Sequence, residues 1–327
     1  MNGSTIISLK NVTHIYKTNS KSKKELKALD NITTEIPKSK ITGFIGLNGA
    51  GKTTTIKILS GILHNTSGEV IVSSLSPFKN RIEFTKHIGV MFGQLNQLLS
   101  SLNLDDNFEL IRRIYGINKN MYQERIDYFL HLLNLTEKRT TAARYLSFGQ
   151  SVKANLICSL LHNPNILLLD EPTIGVDILS KDNINSFLQK INSELKTSIL
   201  ITSHDIYNIE KIVDHIVLVD KGKLLFNGSI DDFKMKYKTL TKISFELNTK
   251  TISTEIQTQI TNLFSGMNYT SLYFNNNTCS FFIPANLNAF DFISKINTEM
   301  QLKNILVSEQ NLEEVVKLAV QGEVLNE

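Results

Sequence analysis

The stretch that decides the fold is Ile41–Leu63, ITGFIGLNGAGKTTTIKILSGIL. Ile41 to Ile45 is short, apolar and rich in β-branched residues, which predicts a buried strand. Glycines follow, and then TTTIKILSGIL, whose apolar positions recur at helical spacing. The unit is therefore strand, glycine loop, helix. Its loop satisfies G-x-x-x-x-G-K-[ST] from Gly46 to Thr53. Polyphosphate carries dense negative charge and needs many donors at short range. Glycines let backbone N–H groups of Asn48, Gly49, Ala50 and Gly51 turn inward where a Cβ would obstruct them. The helix start adds unpaired N–H groups and a positive dipole end. Lys52 can reach the β and γ phosphates as a point charge. The Thr53 hydroxyl can serve Mg²⁺, and Thr54 can add a phosphate contact.

Working outward, Ile6–Val12 and Ile32–Ile36 read as strands ahead of the loop. Downstream, PNILLLDEP and TSILITSHD read as strands buried on both faces, which with intervening helices predicts a mainly parallel sheet. The first of these ends in Asp170-Glu171. Carboxylates at the carboxyl end of a buried parallel strand sit where such sheets bind ligands. Asp170 is the candidate Mg²⁺ ligand, through water. Glu171 is the candidate general base or orienter for a water attacking the γ phosphate. Between the two parts, DDNFELIRRIYGI, QERIDYFLHLLNL and SVKANLICSLLH predict three helices, a helical insertion over about 95–163. IVLVDKGKLLFNG predicts a hairpin turning at Lys221-Gly222. After about residue 238 a fresh series of strands and helices begins, predicting a small α+β domain over 239–327 behind a main domain over 1–238.

Composition narrows the function. The chain has 327 residues, 41% hydrophobic and 20% charged, and a net charge of +4, too small by itself to argue for nucleic acid. Residues 1–40 hold eight lysines against three acids, read either as a solvated loop or as a loop near an anionic membrane surface. The two cysteines, Cys158 and Cys279, have no partner at metal-ligand spacing, which fits a reducing compartment. No apolar stretch is long enough to span a bilayer, so a transport role would borrow its membrane part from other chains.

Leu146-Ser147-Phe148-Gly149-Gln150, upstream of Asp170, resembles the LSGGQ signature of ABC-type ATPases. The order phosphate loop, signature, Asp-Glu strand and then Ser203-His204-Asp205 is also that family's order. The resemblance covers about residues 5–235. It implies a P-loop NTPase of ABC type with a mainly parallel core sheet, an antiparallel β subdomain and a helical subdomain. It implies ATP and Mg²⁺ as cofactors, and ATP hydrolysis as the activity. It places Tyr16 against adenine, Gln94 near Mg²⁺ and the attacking water, His204 on the γ phosphate, and Gly175-Val176-Asp177 in the D-loop. Gln97, three residues on, is an alternative to Gln94. Ser147, Gly149 and Gln150 would face the nucleotide of a second copy, or of a related ATPase. Separate membrane permease chains are the other implied partners, nucleic acid is not, and the implied place is the cytoplasmic face of the cell membrane.

The chain departs from the family pattern at Phe148, which replaces a glycine, and at Ser151-Val152-Lys153. One extra residue precedes Gln94. FGQLNQLLSSLNLDDNFELIRRIYGI looks like exporter ATPases of the ABC-2 class, which makes export the leading expectation. An importer ATPase, or an ABC-type assembly factor outside transport, is the alternative. ILVSEQNLEEVVKLAV is similar to the accessory domain of export ATPases, read either as packing and dimer-stabilising or as ligand-sensing.

Overall fold

The computed structural model describes residues 4–17, 25–93, 96–203, 206–237, 240–247, 251–284, 287–300, 302–309 and 312–321. The chain forms two compact units, Met1–Ile230 and Asp231–Glu327. This break falls before the one expected at 238, because most of the short helix Ile230–Lys236 belongs to the second unit.

In the first unit, β1 (Thr5–Lys17) and β2 (Glu25–Pro37) pair antiparallel, and β4 (Ser67–Val72) joins the other edge of β1. The larger sheet is built from β3 (Ile41–Ile45), β5 (Ile88–Phe92), β6 (Ile166–Asp170), β7 (Ser198–Ser203), β8 (His215–Asp220) and β9 (Lys223–Ser229). Their spatial order is β5-β6-β7-β3-β8-β9, all parallel except β9. Every residue of β3, β6 and β7 is buried, which is why their sequences run apolar without alternation.

The helices of this unit are α1 (Lys52–Leu59), α2 (Arg81–Lys86), α3 (Leu104–Tyr115), α4 (Lys119–Leu132), α5 (Phe148–Leu160), α6 (Ile178–Leu195) and α7 (Ile206–Glu210). Capping matches sequence. Asn103 caps α3, which opens with Asp105 and Asp106 and closes with Arg112, Arg113 and a left-handed Gly116. The sequence reading leaves β4, α2, β5, α6 and α7 unassigned. In α6 the buried positions Ile184, Phe187, Leu188 and Ile191 do recur at helical spacing, but asparagines and charges between them dilute the pattern. The Lys221-Gly222 turn forms as expected, with φ 45° and 75°, the paired positive values of a type I′ hairpin.

In the second unit, after α8 (Ile230–Lys236), come β10 (Leu240–Leu247), α9 (Thr254–Leu263), β11 (Thr270–Asn275), β12 (Thr278–Pro284), α10 (Ala289–Glu299), β13 (Leu302–Glu309) and α11 (Leu312–Gln321). The four strands form an antiparallel sheet in the order β11-β12-β10-β13. This βαββαβ arrangement is the split βαβ fold. Its core gathers Ile243, Phe245, Ile260, Phe264, Phe281 and Phe292 on one face of the sheet. Phe264 meets Phe281 edge to face at 4.5 Å.

Candidate functional site

The parallel register brings the carboxyl ends of β6, β7 and β3 into one row. Asp170 lies opposite Thr202, and Ser203 lies opposite Ile45, the last residue before the phosphate-binding loop. The loop wraps over this row into α1. A Cβ at Gly46 would lie 2.2 Å from the Val219 carbonyl oxygen, so only glycine fits there. Gly51 is left-handed, at φ 103°, and precedes α1 with no side-chain cap. The first N–H groups of α1 thus have no capping side chain to satisfy them. Lys52 is buried, and its ammonium donates to the carbonyls of Gly46 at 2.8 Å and Leu47 at 3.2 Å. Burial pushes its pKa down, while the charges of Glu171 and Asp170 oppose that shift. The β8–β9 turn clasps the loop from outside. The Gly222 N–H donates to the Ala50 carbonyl at 3.1 Å, and the Gly222 carbonyl accepts from the Asp30 N–H at 2.8 Å.

Asp170 is buried beside the loop. It accepts from the Thr202 hydroxyl at 2.6 Å and from the Thr53 hydroxyl at 3.2 Å. The Glu171 N–H donates to the Thr202 carbonyl and hydroxyl oxygens, each at 3.1 Å. Thr202 therefore holds the Asp170 carboxylate and the Glu171 backbone. Sequence reasoning missed it, although a threonine in the apolar run SILITS was the available signal. Glu171 itself is left-handed, at φ 50°, a costly conformation for a non-glycine residue and one that clusters at functional sites.

A cleft of about 420 Å³ lies over the loop. Tyr16, Asn48, Gly49, Gly51, Lys52 and Thr53 line it, with Thr54 and Glu171 completing that side. The Tyr16 hydroxyl lies 3.3 Å from the Thr54 hydroxyl, and His14 abuts the Tyr16 ring edge-on at 4.5 Å. Leu26, Lys27, Ala28 and Lys221 also line the cleft, where the sequence reading did not place them. Ala50 does not line it; it is buried, with its carbonyl used by the turn. A second cleft of about 420 Å³ is lined by Thr53, Lys57, Phe92, Gly93, Asp170 and Glu171. Thr53 and Glu171 border both spaces.

The Thr53 hydroxyl and the Asp170 carboxylate are hard oxygen donors within 3.2 Å of each other. That sparse pair suits Mg²⁺, which keeps several waters and takes phosphate oxygens for the rest of its octahedron. Among the described residues no cluster of three or more His, Cys, Asp or Glu side chains gathers for a metal. The donor set therefore fits an ion shared with a phosphate.

The signature segment lies apart from both clefts, and Ser147, Gly149 and Gln150 line neither. Ser147 caps α5, accepting from the Gln150 N–H at 3.2 Å, while the Gln150 side chain accepts from the Ser147 N–H at 3.0 Å. A Cβ at Gly149 would lie 2.9 Å from the Ser180 hydroxyl, so this glycine admits the start of α6. Asp177 caps α6, accepting from the Ser180 N–H at 2.9 Å; hydrogen bonds from Ser180 hold its carboxyl below the usual range. Phe148, at the departure from the family pattern, packs beside Gly175. Gln94 and His204 lie outside the described residues. Gln97 is described; its side chain donates to the Val90 carbonyl at 2.8 Å, and its N–H donates to Asn155 at 2.7 Å.

A lysine-bearing glycine loop at the end of a central parallel strand, one strand removed from an Asp-Glu pair, defines a phosphate-loop nucleoside triphosphatase. Comparison with known proteins narrows the class. The family model described as ABC transporter matches residues 29–174. The methionine import ATP-binding protein MetN of Histophilus somni is 34% identical over 239 residues, covering 72% of this chain and 68% of the relative. The bacitracin transport ATP-binding protein BcrA of Bacillus licheniformis is 31% identical over 233 residues, covering 71% and 72%. Among solved structures, a dimeric ATP-binding cassette in a post-hydrolysis state with ADP and Pi superposes with TM-score 0.60 at 25% identity, covering 69% of this chain and 99% of that one. The chain belongs to the ABC transporter family, as an ATP-binding subunit. It is an ATPase, with ATP and Mg²⁺ as its cofactors.

Proposed function

We propose that two copies of this chain, or one copy and a related ATPase, clamp ATP between them and open when it is hydrolysed. The observation that carries this reading is the position of the signature. Ser147 and half-exposed Phe148 lie outside the chain's own phosphate cleft, so the signature is left to meet another copy's nucleotide. Within one copy, Lys52 and the N–H groups of Asn48, Gly49, Ala50 and Gly51 hold the phosphates, with Thr54 beside them. Tyr16 stacks on adenine. Thr53 and Asp170 hold Mg²⁺, which neutralises phosphate charge when bound. Glu171, set by Thr202, orients and deprotonates the attacking water. Gln94 and His204 complete the γ-phosphate contacts. Ser147, Gly149 and Gln150 serve the opposite copy.

The ATPase domain is assigned to 1–238, with its helical part over about 95–163, and 239–327 is an accessory domain. No helix among the described residues is long and apolar enough to cross a membrane. The membrane path is assigned to separate permease chains, with this subunit at the cytoplasmic face. Export was the expectation from the sequence around Gln94. Relatives named for methionine import, at 34% identity, weigh instead for uptake, and we adopt uptake as the direction. The test of the clamp is complementation. A Lys52→Ala copy mixed with a Ser147→Arg copy should recover ATPase activity that neither has alone, because mixed pairs keep one whole site. No recovery would remove the clamp. Direction is tested separately, by substrate flux into vesicles holding the chain with its permease.

A further inference from the structure

The phosphate cleft holds a cation that the glycine loop does not supply. Among the described residues, Lys27, Lys52 and Lys221 line it. The first two have partners within the chain. The Lys27 ammonium pairs with Asp30 at 3.0 Å, and that of Lys52 donates to the carbonyls of Gly46 and Leu47. Lys221 is exposed and has no side-chain hydrogen bond or ion pair among the described residues. Glu171 lines the same cleft and adds negative charge to a space that must take a polyanion. More than one cation is needed to balance that charge.

Lys221 also stands on a costly backbone. It is the first residue of the two-residue turn between Asp220 and Lys223, at φ 45°. A type I′ turn favours Asn, Asp or Gly at that place, because they tolerate the left-handed region. Every other non-glycine residue with positive φ among the described residues is asparagine or serine, apart from Glu171 and Lys196. Lys196 closes α6, where a cation meets the negative end of the helix dipole. Glu171 and Lys221 both line the phosphate cleft. Strained backbone of this kind clusters at functional sites. The turn is fixed in place as well. The Gly222 hydrogen bonds to Ala50 and Asp30 hold Lys221 beside the loop.

We propose that Lys221 is a nucleotide-binding residue, reaching from the β8–β9 hairpin to the β phosphate of bound ATP. Tyr16 and Thr54 mark the adenine end of the cleft, and the turn is anchored upstream of them, at Ala50 in the loop itself. The phosphate it meets is therefore one that ATP and ADP carry and AMP lacks. The proposal rests on ATP binding at the loop but needs only one copy, so it is independent of the clamp.

The test is calorimetry on the full chain with magnesium, using ADP, AMP and a non-hydrolysable ATP analogue in turn. Lys221→Asn is the decisive variant, because asparagine suits the turn and removes the charge. Without nucleotide it should melt no lower than the parent chain. Its affinity for ADP and the ATP analogue should fall about three- to tenfold, between the reach of an exposed ion pair and of a buried charged hydrogen bond. AMP should bind it as it binds the parent. Its ADP affinity should also respond less to added salt. Lys221→Arg should keep the parent affinity, which a role in the turn alone would not explain. Unchanged ADP affinity in Lys221→Asn, or an equal loss for AMP, would overturn the proposal. So would a loss that comes with a lower melting point, since the turn would then account for it. Lys52→Ala in the same titrations separates the two readings. Weak ADP binding there, with normal binding by Lys221→Asn, removes Lys221 alone, whereas normal binding by both removes the loop.

Discussion

Two helix N-termini in this molecule, both proposed above to meet phosphate, are built in opposite ways. α1 begins behind a left-handed glycine with no side-chain cap, so no side chain at that position takes up its first N–H groups. α5 begins with Ser147 and Gln150 satisfying each other in a capping box, so one end of that helix is already paired within the chain. The first N-terminus lines a cleft with Lys52, and the second lines neither cleft. The difference separates binding from response. A site that must hold ATP alone leaves its donors open. On the proposed clamp, a site that engages only when another copy arrives is capped beforehand, and what it offers is pre-set geometry.

That contrast can be broken or sharpened by substitution. The largest effect is expected for Glu171→Gln, which keeps ATP binding but should slow turnover by ~10²–10⁴-fold, the usual reach of a general base. The same variant should accumulate as an ATP-bound pair, read by turnover assay and sedimentation. Lys52→Ala should weaken ATP binding by ~1.5–3 kcal/mol, roughly ten- to hundredfold, through loss of charged hydrogen bonds. Calorimetry on the isolated chain measures it, and unchanged affinity would remove the loop from its role. Tyr16→Ala should cost ~1–3 kcal/mol of affinity, the range seen when a base loses an aromatic platform. It should also narrow the preference for ATP over other triphosphates in competition binding. Smallest of all, Ser147→Ala should cost ~1 kcal/mol of folding stability through the lost cap. A thermal melt reads that cost, while ATP affinity of a single copy should stay as it was. Weakened single-copy binding would mean that the two helix ends do not divide the work as described.

Much of the ATPase unit was legible because its signals are local. Strand, loop and lysine lie within one short run, and Asp170-Glu171 close the next apolar run. What was not legible depends on register. Thr202 comes to hold the Asp170 carboxylate and the Glu171 backbone only because β7 lies beside β6, and sequence order does not announce that pairing. The left-handed backbone at Glu171 is likewise invisible in a string of letters. Gly149 read as an anion contact, but its backbone also makes room for Ser180 on a helix that the sequence reading did not assign. In the second unit, strands and helices were visible while the order β11-β12-β10-β13 was not, since β10 pairs with its two most distant partners. The preference for export rested on residues around Gln94 and on the C-terminal accessory domain, and the named import relatives lean the other way.

The Lys221-Gly222 turn has a bearing on how the protein comes into being. It is threaded between Asp30 and Ala50 by backbone hydrogen bonds, so the oldest part of the polypeptide is finished by a segment made almost two hundred residues later. A growing chain on the ribosome carries the lysine and glycines early yet lacks the brace that sets their shape. The outer brace of the phosphate loop therefore waits for the hairpin, the last of the contacts on Ala50 to be synthesised.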